Sequence, residues 1–355
     1  MDIREIDPNL RVPTVNESDV CFYDVRQAPF EVYGFYNYRE ESQFKRLPDE
    51  VAVPISPKMA ELARYTTGGR VRFSTDSKYV AIRAIVPKIH RLSALPLSGS
   101  SGFDLYVDNP KTGDSRFYGI LPPDRDATGD FESIVKFPTR ELRHFTINFP
   151  YSNEVTSLYV GIQQDATLGE GMKYRDIEPI VFYGSSITQG TAASRSGNSY
   201  ANMVSRRFCI DYLNLGFAGN GKAEDEVVDY MCTLPMSIFV SDYDHNASNA
   251  EYLRETHLKM YQKIRAAKPD VPYIILSKPD FLKNPSDNDK RRDVIVDTYR
   301  YARAQGDQNV YYIDGESIFR GTYEDCCTVD GTHPNDYGFV LMAEAISAEI
   351  RRILH

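Results

Sequence analysis

Long apolar runs, basic clusters, CxxC spacings and tryptophan are all missing from this 355-residue sequence. No stretch approaches the roughly 18 consecutive apolar residues a helix needs to cross a bilayer, so no membrane partner is expected. The opening MDIREIDPNL has neither the basic nor the apolar region of a secretory signal. Lysine and arginine number 41 against 50 aspartates and glutamates, a net charge of −9, and no run of them forms a patch suited to a phosphate backbone. Nucleic acid is therefore not an expected partner. The five cysteines, Cys21, Cys209, Cys232, Cys326 and Cys327, are scattered without CxxC spacing. Neither a disulfide framework nor a zinc site is expected from them, and reduced cysteines favour a cytoplasmic location. Without tryptophan, any aromatic wall around a ligand falls to the 25 tyrosines and 18 phenylalanines.

What is present changes rhythm once. Up to about residue 175 apolar residues alternate, as in VRFSTDSKYVAIRAIV, where Val80, Ile82, Ala84 and Val86 share a face, and in HFTINF, where Phe145, Ile147 and Phe149 do. Turn signals such as TGGR, PKTGD and DATGD separate these runs, and no long helix is evident. Residues 1–176 are thus expected to form an all-β sandwich, jelly-roll-like in character. From residue 177 to 355 the rhythm is strand, helix, strand. PIVFYGS, IDYLNLG, MSIFVSD, VPYIILS and NVYYIDG read as buried strands, with amphipathic stretches between them and a last helix from about Tyr337 to Leu354. Five such strands with helical crossovers predict a parallel sheet covered on both sides, a flavodoxin-like three-layer α/β/α domain.

The stretch FYGSSITQG, residues 182–190, ends the first of those strands in a loop of small polar residues. At the carboxyl end of a parallel strand such a loop either cradles a ligand or attacks one. A phosphate cradle of the flavodoxin kind is one reading, since a helix start favours anions. The other comes from DGTHPNDYGF near the C-terminus. Asp330 and His333 lie three residues apart just before the final helix, so Asp330 can accept from one imidazole nitrogen while the other faces a nucleophile. A serine is a weak nucleophile until a base takes its proton, and His333 supplies one. Ser186 is preferred over Ser185 because the strand-to-helix turn places it at the helix entrance, while Thr188 and Thr191 read as loop or capping hydroxyls.

GSSIT, GFAGNGKAEDEV, DYDHNA and DGTHP, in that order, resemble the four sequence blocks of the SGNH (GDSL-type) hydrolases. The resemblance implies Ser186 as nucleophile, His333 as base and Asp330 as its orienter. It implies an oxyanion hole formed by the backbone N–H groups of Ser186 and Gly219 with the side-chain amide of Asn246. The third block departs from the family's Gly-x-Asn-Asp form and reads Asp244-His245-Asn246-Ala247. Upstream, GFDLY, from Gly102 to Tyr106, is similar to the GxDLY signature of a β-rich domain fused to one branch of these hydrolases. Asp104 within it is expected to brace its own domain's backbone.

The resemblance implies a serine esterase acting on small-molecule or oligosaccharide esters, with acetyl as the expected acyl group. Two alternatives stand beside it: a carbohydrate-binding protein with a relict site, and the phosphate or nucleotide binder. Asp242, Asp244 and His245 are thinkable metal ligands, but all cluster at one strand end with no second set of donors. No metal and no cofactor are expected.

Overall fold

The structure is a computed structural model that describes Val12, residues 14–321 and residues 323–354. His355 and the opening decapeptide lie outside the described residues. The described residues divide into two compact units, one falling within residues 1–45, 64–173 and 195–197, the other within residues 46–63, 174–194 and 198–355.

In the first unit the expected alternation becomes two antiparallel sheets. One holds β1 (Val20–Asp24), β4 (Tyr79–Ile85), β7 (Phe131–Lys136) and β9 (Ser157–Gln163), in the order β1-β9-β4-β7. The other runs β10-β3-β8-β5-β6, built from β3 (Arg70–Thr75), β5 (Phe103–Asp108), β6 (Ser115–Leu121), β8 (Arg143–Asn148) and β10 (Leu168–Glu170), with β2 (Glu31–Tyr33) beside β3. Val80, Ile82 and Ala84 from one sheet join Phe145 and Ile147 from the other in a single buried core with Phe149, Phe103 and Leu105. The side-chain period of two thus directs alternate residues of both sheets into one shared interior. Asp104 is fully buried and braces one side chain and one backbone amide. Its Oδ1 accepts from Asn148 Nδ2 at 2.7 Å and its Oδ2 from the Gly197 amide at 2.7 Å.

The second unit carries a five-stranded parallel sheet of β11 (Ile180–Gly184), β12 (Tyr212–Gly216), β13 (Ile238–Asp242), β14 (Tyr273–Leu276) and β15 (Val310–Ile313), ordered β12-β11-β13-β14-β15. This is the flavodoxin-like order, with the chain reversing direction across the sheet beside its first strand. Each expected strand is present, trimmed by two or three residues. The helices of this half are α4 (Ser186–Gln189), α5 (Tyr200–Phe208), α6 (Asp225–Thr233), α7 (Ala250–Ala267), α8 (Pro285–Ala304), α9 (Gly315–Phe319) and α10 (Asp336–Leu354). Caps fix where two of them begin: Ser199 accepts from the Asn202 amide and Asn249 from the Tyr252 amide.

The units do not follow a single cut at residue 176. The chain passes from the first to the second at Lys173/Tyr174, but Arg46–Ala63 also belongs to the second. That segment forms two helices, α1 (Asp49–Ile55) and α2 (Pro57–Ala63), and α1 packs on α6. Three prolines hide them in the sequence. Pro48 is the N-cap of α1, Pro54 lies in its last turn, and Pro57 opens α2 where its missing N–H costs nothing. A further short helix, α3 (Leu97–Ser100), precedes β5. Among the described residues no helix is long and apolar enough to cross a membrane, and all five cysteines are free.

Candidate active site

Strand register assembles the site. Gly184 at the end of β11 pairs with Gly216 at the end of β12 on one side and with Asp242 at the end of β13 on the other. The loops carrying Ser186, Gly219 and Asn246 therefore leave the sheet side by side at its carboxyl edge. Both glycines are needed for this approach. A Cβ on Gly184 would overlap Asp242 and Thr188, and one on Gly216 would overlap the Gln189 backbone.

Ser185 is extended, with φ −90° and ψ −162°, and its hydroxyl accepts from the Ile187 amide at 3.1 Å. It caps α4, and Ser186 becomes the first residue of that single-turn helix. Ser186 Oγ lies 2.9 Å from His333 Nε2. The opposite nitrogen, His333 Nδ1, is 2.7 Å from Asp330 Oδ2, while Asp330 Oδ1 accepts from the backbone amides of Thr332 and His333 at 3.0 and 2.8 Å. Partial burial raises the Asp330 carboxyl's pKa, but these amides and the imidazole outweigh it and hold the carboxyl down at about 2. The acid is therefore ionised at any ordinary pH, and fixes the imidazole with its free nitrogen toward Ser186. A base so held can take the hydroxyl proton. Lys283 Nζ donates to the Asp330 carbonyl at 3.3 Å and to Thr332 Oγ1 at 3.2 Å, strapping this loop from the segment before α8.

Gly219 sits in an exposed turn with φ +68°, a conformation that favours glycine, and nothing stands within 4 Å of where its Cβ would be. Asn246 donates one amide hydrogen from Nδ2 to the Phe217 carbonyl at 2.9 Å. That same carbonyl receives the Asn220 and Gly221 amides, each at 3.0 Å, so Asn246 and the turn bearing Gly219 share one anchor. The second hydrogen of the Asn246 amide is left for another acceptor.

A family profile for GDSL-like lipases and acylhydrolases matches residues 177–351, and one for the GxDLY N-terminus of SGNH-type esterases matches residues 20–168. The chain carries a GDSL-like lipase/acylhydrolase domain behind a GxDLY N-terminus of the SGNH-type esterases. It is a carboxylic ester hydrolase of the SGNH type. Among solved structures it is similar to a candidate GDSL-like lipase from Bacteroides ovatus, at 26% identity over 94% of this chain and 98% of the other, with a TM-score of 0.84. It shares its fold with a salicylyl-acyltransferase from a tetracycline biosynthetic pathway, at 20% identity, 95% and 98% coverage and a TM-score of 0.76. It shares it also with an acetyl xylan esterase from the rumen bacterium Butyrivibrio proteoclasticus, at 11% identity, 95% and 99% coverage and a TM-score of 0.59. No curated protein sequence matches the chain.

In this GDSL-type site three of the four loop hydroxyls are already committed, which argues against a phosphate cradle; the fourth, that of Thr191, is buried without a partner and caps nothing. Ser185 caps a helix, Ser186 faces His333, and Thr188 Oγ1 accepts from Tyr200 at 2.9 Å and lies 3.3 Å from Asp242 Oδ2. Asp242, Asp244 and His245 do converge, with candidate ligand atoms within 4.8 Å of one another. Burial opposes a charge on His245, but Asp280, 2.8 Å from Nε2, and Asp244, 3.3 Å from Nδ1, overcome it and raise the imidazole's pKa to about 10. Asp244 and Asp280 thus flank the imidazole from both sides, forming an internal ion network. Burial pushes Asp242 up to about 7.

Asp336, the first residue of α10, escaped the sequence reading. It accepts from the Ser194 amide at 2.8 Å, the Ser194 hydroxyl at 2.5 Å and Asn198 Nδ2 at 2.8 Å, joining the chain beyond Ser186 to the chain beyond His333. Its place three residues after His333 was the available signal, but an acidic residue at a helix start has an ordinary explanation in the helix dipole.

Proposed function

We propose that this esterase removes small acyl groups, acetyl first among them, from carbohydrates or related small esters through an acyl-enzyme intermediate on Ser186. The observation that carries the reading is the unbroken line from Ser186 Oγ to His333 Nε2, 2.9 Å, and from His333 Nδ1 to Asp330 Oδ2, 2.7 Å. His333 takes the hydroxyl proton as Oγ attacks the ester carbonyl. The resulting oxyanion is met by the Ser186 and Gly219 amides and the free hydrogen of Asn246. The tetrahedral species collapses with His333 handing its proton to the departing sugar oxygen. Water, deprotonated by the same imidazole, then releases the carboxylate and restores the serine. The small, polar loops after Ser186 and around Asn246 suit a short acyl group, and the acetyl xylan esterase that shares the fold supports a sugar leaving group.

Acetate release from acetylated xylo-oligosaccharides, alongside hydrolysis of p-nitrophenyl acetate, butyrate and octanoate, tests the reading. Turnover that falls with acyl length and vanishes in Ser186→Ala is expected, with a fluorophosphonate probe labelling Ser186. Labelling at Ser185, or retained activity in Ser186→Ala, would remove the nucleophile, and preference for octanoate would remove the small-acyl reading. A second acceptor for the acyl group is favoured by the likeness to the salicylyl-acyltransferase. Product analysis with an added alcohol separates transfer from hydrolysis.

A further inference from the structure

We infer that Arg46 is a positioning residue for the oxyanion hole, holding from behind the turn that presents Gly219 and orients Asn246. The inference rests on the assignment of those two residues proposed above.

Arg46 is 3% exposed, yet it lies more than a hundred residues from the site in sequence. Burial pulls its pKa down to about 9, so the guanidinium is still cationic at neutral pH and needs acceptors all round. It finds them at the edge of the sheet. Its Nη1 donates to the carbonyls of Asn214, 2.9 Å, and Gly216, 2.7 Å, and its Nη2 to the Leu62 carbonyl in the last turn of α2, 2.7 Å. Its own amide donates to the Ala63 carbonyl at 2.8 Å. Strand β12 is an edge strand. The Phe217 amide turns inward to the Gly184 carbonyl at 3.0 Å, so the alternate carbonyls of residues 214 and 216 face outward, where the ladder leaves them unused. The two hydrogens of Nη1 take both, while Nη2 reaches across to α2.

Phe217 is where this support meets the site. The Arg46 guanidinium carbon lies 4.5 Å from the centre of the Phe217 ring, and Arg46 also grips the carbonyl of the preceding residue. Phe217 is thus fixed through its ring and through the peptide that leads into it. Its carbonyl then receives Asn246 Nδ2 and the Asn220 and Gly221 amides. A displacement of Phe217 would carry the Asn246 amide and the Gly219 turn with it. An oxyanion donor acts only when it is aimed in advance at the place where charge develops, so a loosened turn lowers kcat while leaving ground-state binding in place. Lysine cannot replace the guanidinium, since a compact ammonium lacks the planar spread of donors that reaches both the β12 carbonyls and α2.

The test uses the full chain with Arg46→Met and Arg46→Lys, each alone and combined with Asn246→Ala. Readouts are kcat and KM on p-nitrophenyl acetate, the rate of fluorophosphonate labelling, and thermal melts. The expected result is that kcat and the labelling rate fall about 10-fold or more, within what donor loss costs, with KM steady in a protein that still melts cooperatively. In the Asn246→Ala background the same substitutions should cost about threefold or less, because coupled residues are not additive. If Arg46→Met does not fold, Arg46→Lys, which keeps the cation, carries the same comparison. Unchanged kcat in a folded variant, or equal losses in both backgrounds, would overturn the positioning role while leaving the hole itself intact. If Asn246→Ala alone leaves kcat unchanged, the hole assignment fails and the inference falls with it.

Discussion

At the scale of single residues, Asn246 and Asp330 make separable demands on the chemistry. One Asn246 hydrogen is engaged by Phe217 and the other is free to meet an oxyanion, so Asn246→Ala should lower kcat by about 100-fold or more with little change in KM. Steady-state kinetics on p-nitrophenyl acetate checks this; a raised KM with kcat preserved would make Asn246 a substrate contact instead. Asp330 acts through the ring it holds. Asp330→Asn keeps the size of the side chain but presents the wrong partner to Nδ1–H, and a loss of about a thousandfold or more in kcat is expected. An unaltered rate would mean that another group orients His333. The folded carboxyl titrates near 2 against 3.8 for its ordinary value. Its contribution to stability is therefore complete above about pH 4 and is lost as pH falls through 2, so wild type and Asp330→Asn should converge in stability in strong acid.

At the scale of elements, the strand ends do the assembling. Gly216 meets the Gln189 backbone nitrogen so closely that a methyl group has no place to go. Gly216→Ala should cost about 1 to 3 kcal/mol in a urea melt, and should lower kcat as well because the Phe217 turn moves with it. A neutral substitution would show that β12 and α4 can separate freely. The ion network beside β13 gives a second test. The His245 imidazole titrates at 6.5 when unperturbed and near 10 in the fold, so the folded chain binds the extra proton between these values. The stabilisation is whole below about pH 6.5 and fades as pH rises through 10. His245→Gln should therefore lose about 3 kcal/mol near neutral pH, the cost of breaking a buried pair, and progressively less toward pH 10. A gap between the two proteins that is constant with pH would contradict the raised imidazole.

At the scale of the whole molecule, the second unit borrows from the first half of the sequence. Residues 177–355 contain every proposed member of the triad and the hole, but they lack Arg46, α1 and α2. Met59 and Leu62 of α2, both buried, would leave their places empty. A fragment of residues 177–355 should accordingly melt far below the full chain, and hydrolyse p-nitrophenyl acetate poorly despite its intact motif residues. A fragment as active and as stable as the full chain would show that residues 46–63 are dispensable.

Periodicity and short motifs made the fold legible. The alternation of Val80, Ile82 and Ala84 and the five apolar runs of the second half are local properties of the chain, and they gave the two sheets their character before any contact was known. The spacing of Asp330 and His333 was equally readable, since three residues on one loop suffice to bring carboxylate and imidazole together. The helices of residues 49–63 were not, because their prolines carry the same local signature as a loop and only packing on α6 decides between the two. Asp336 reaches Ser194 across 142 positions and Arg46 reaches Asn214 across 168. No period or spacing encodes such pairs. They exist because the sheet order places particular strand ends together and leaves particular carbonyls facing outward, and that placement is a property of the folded chain alone.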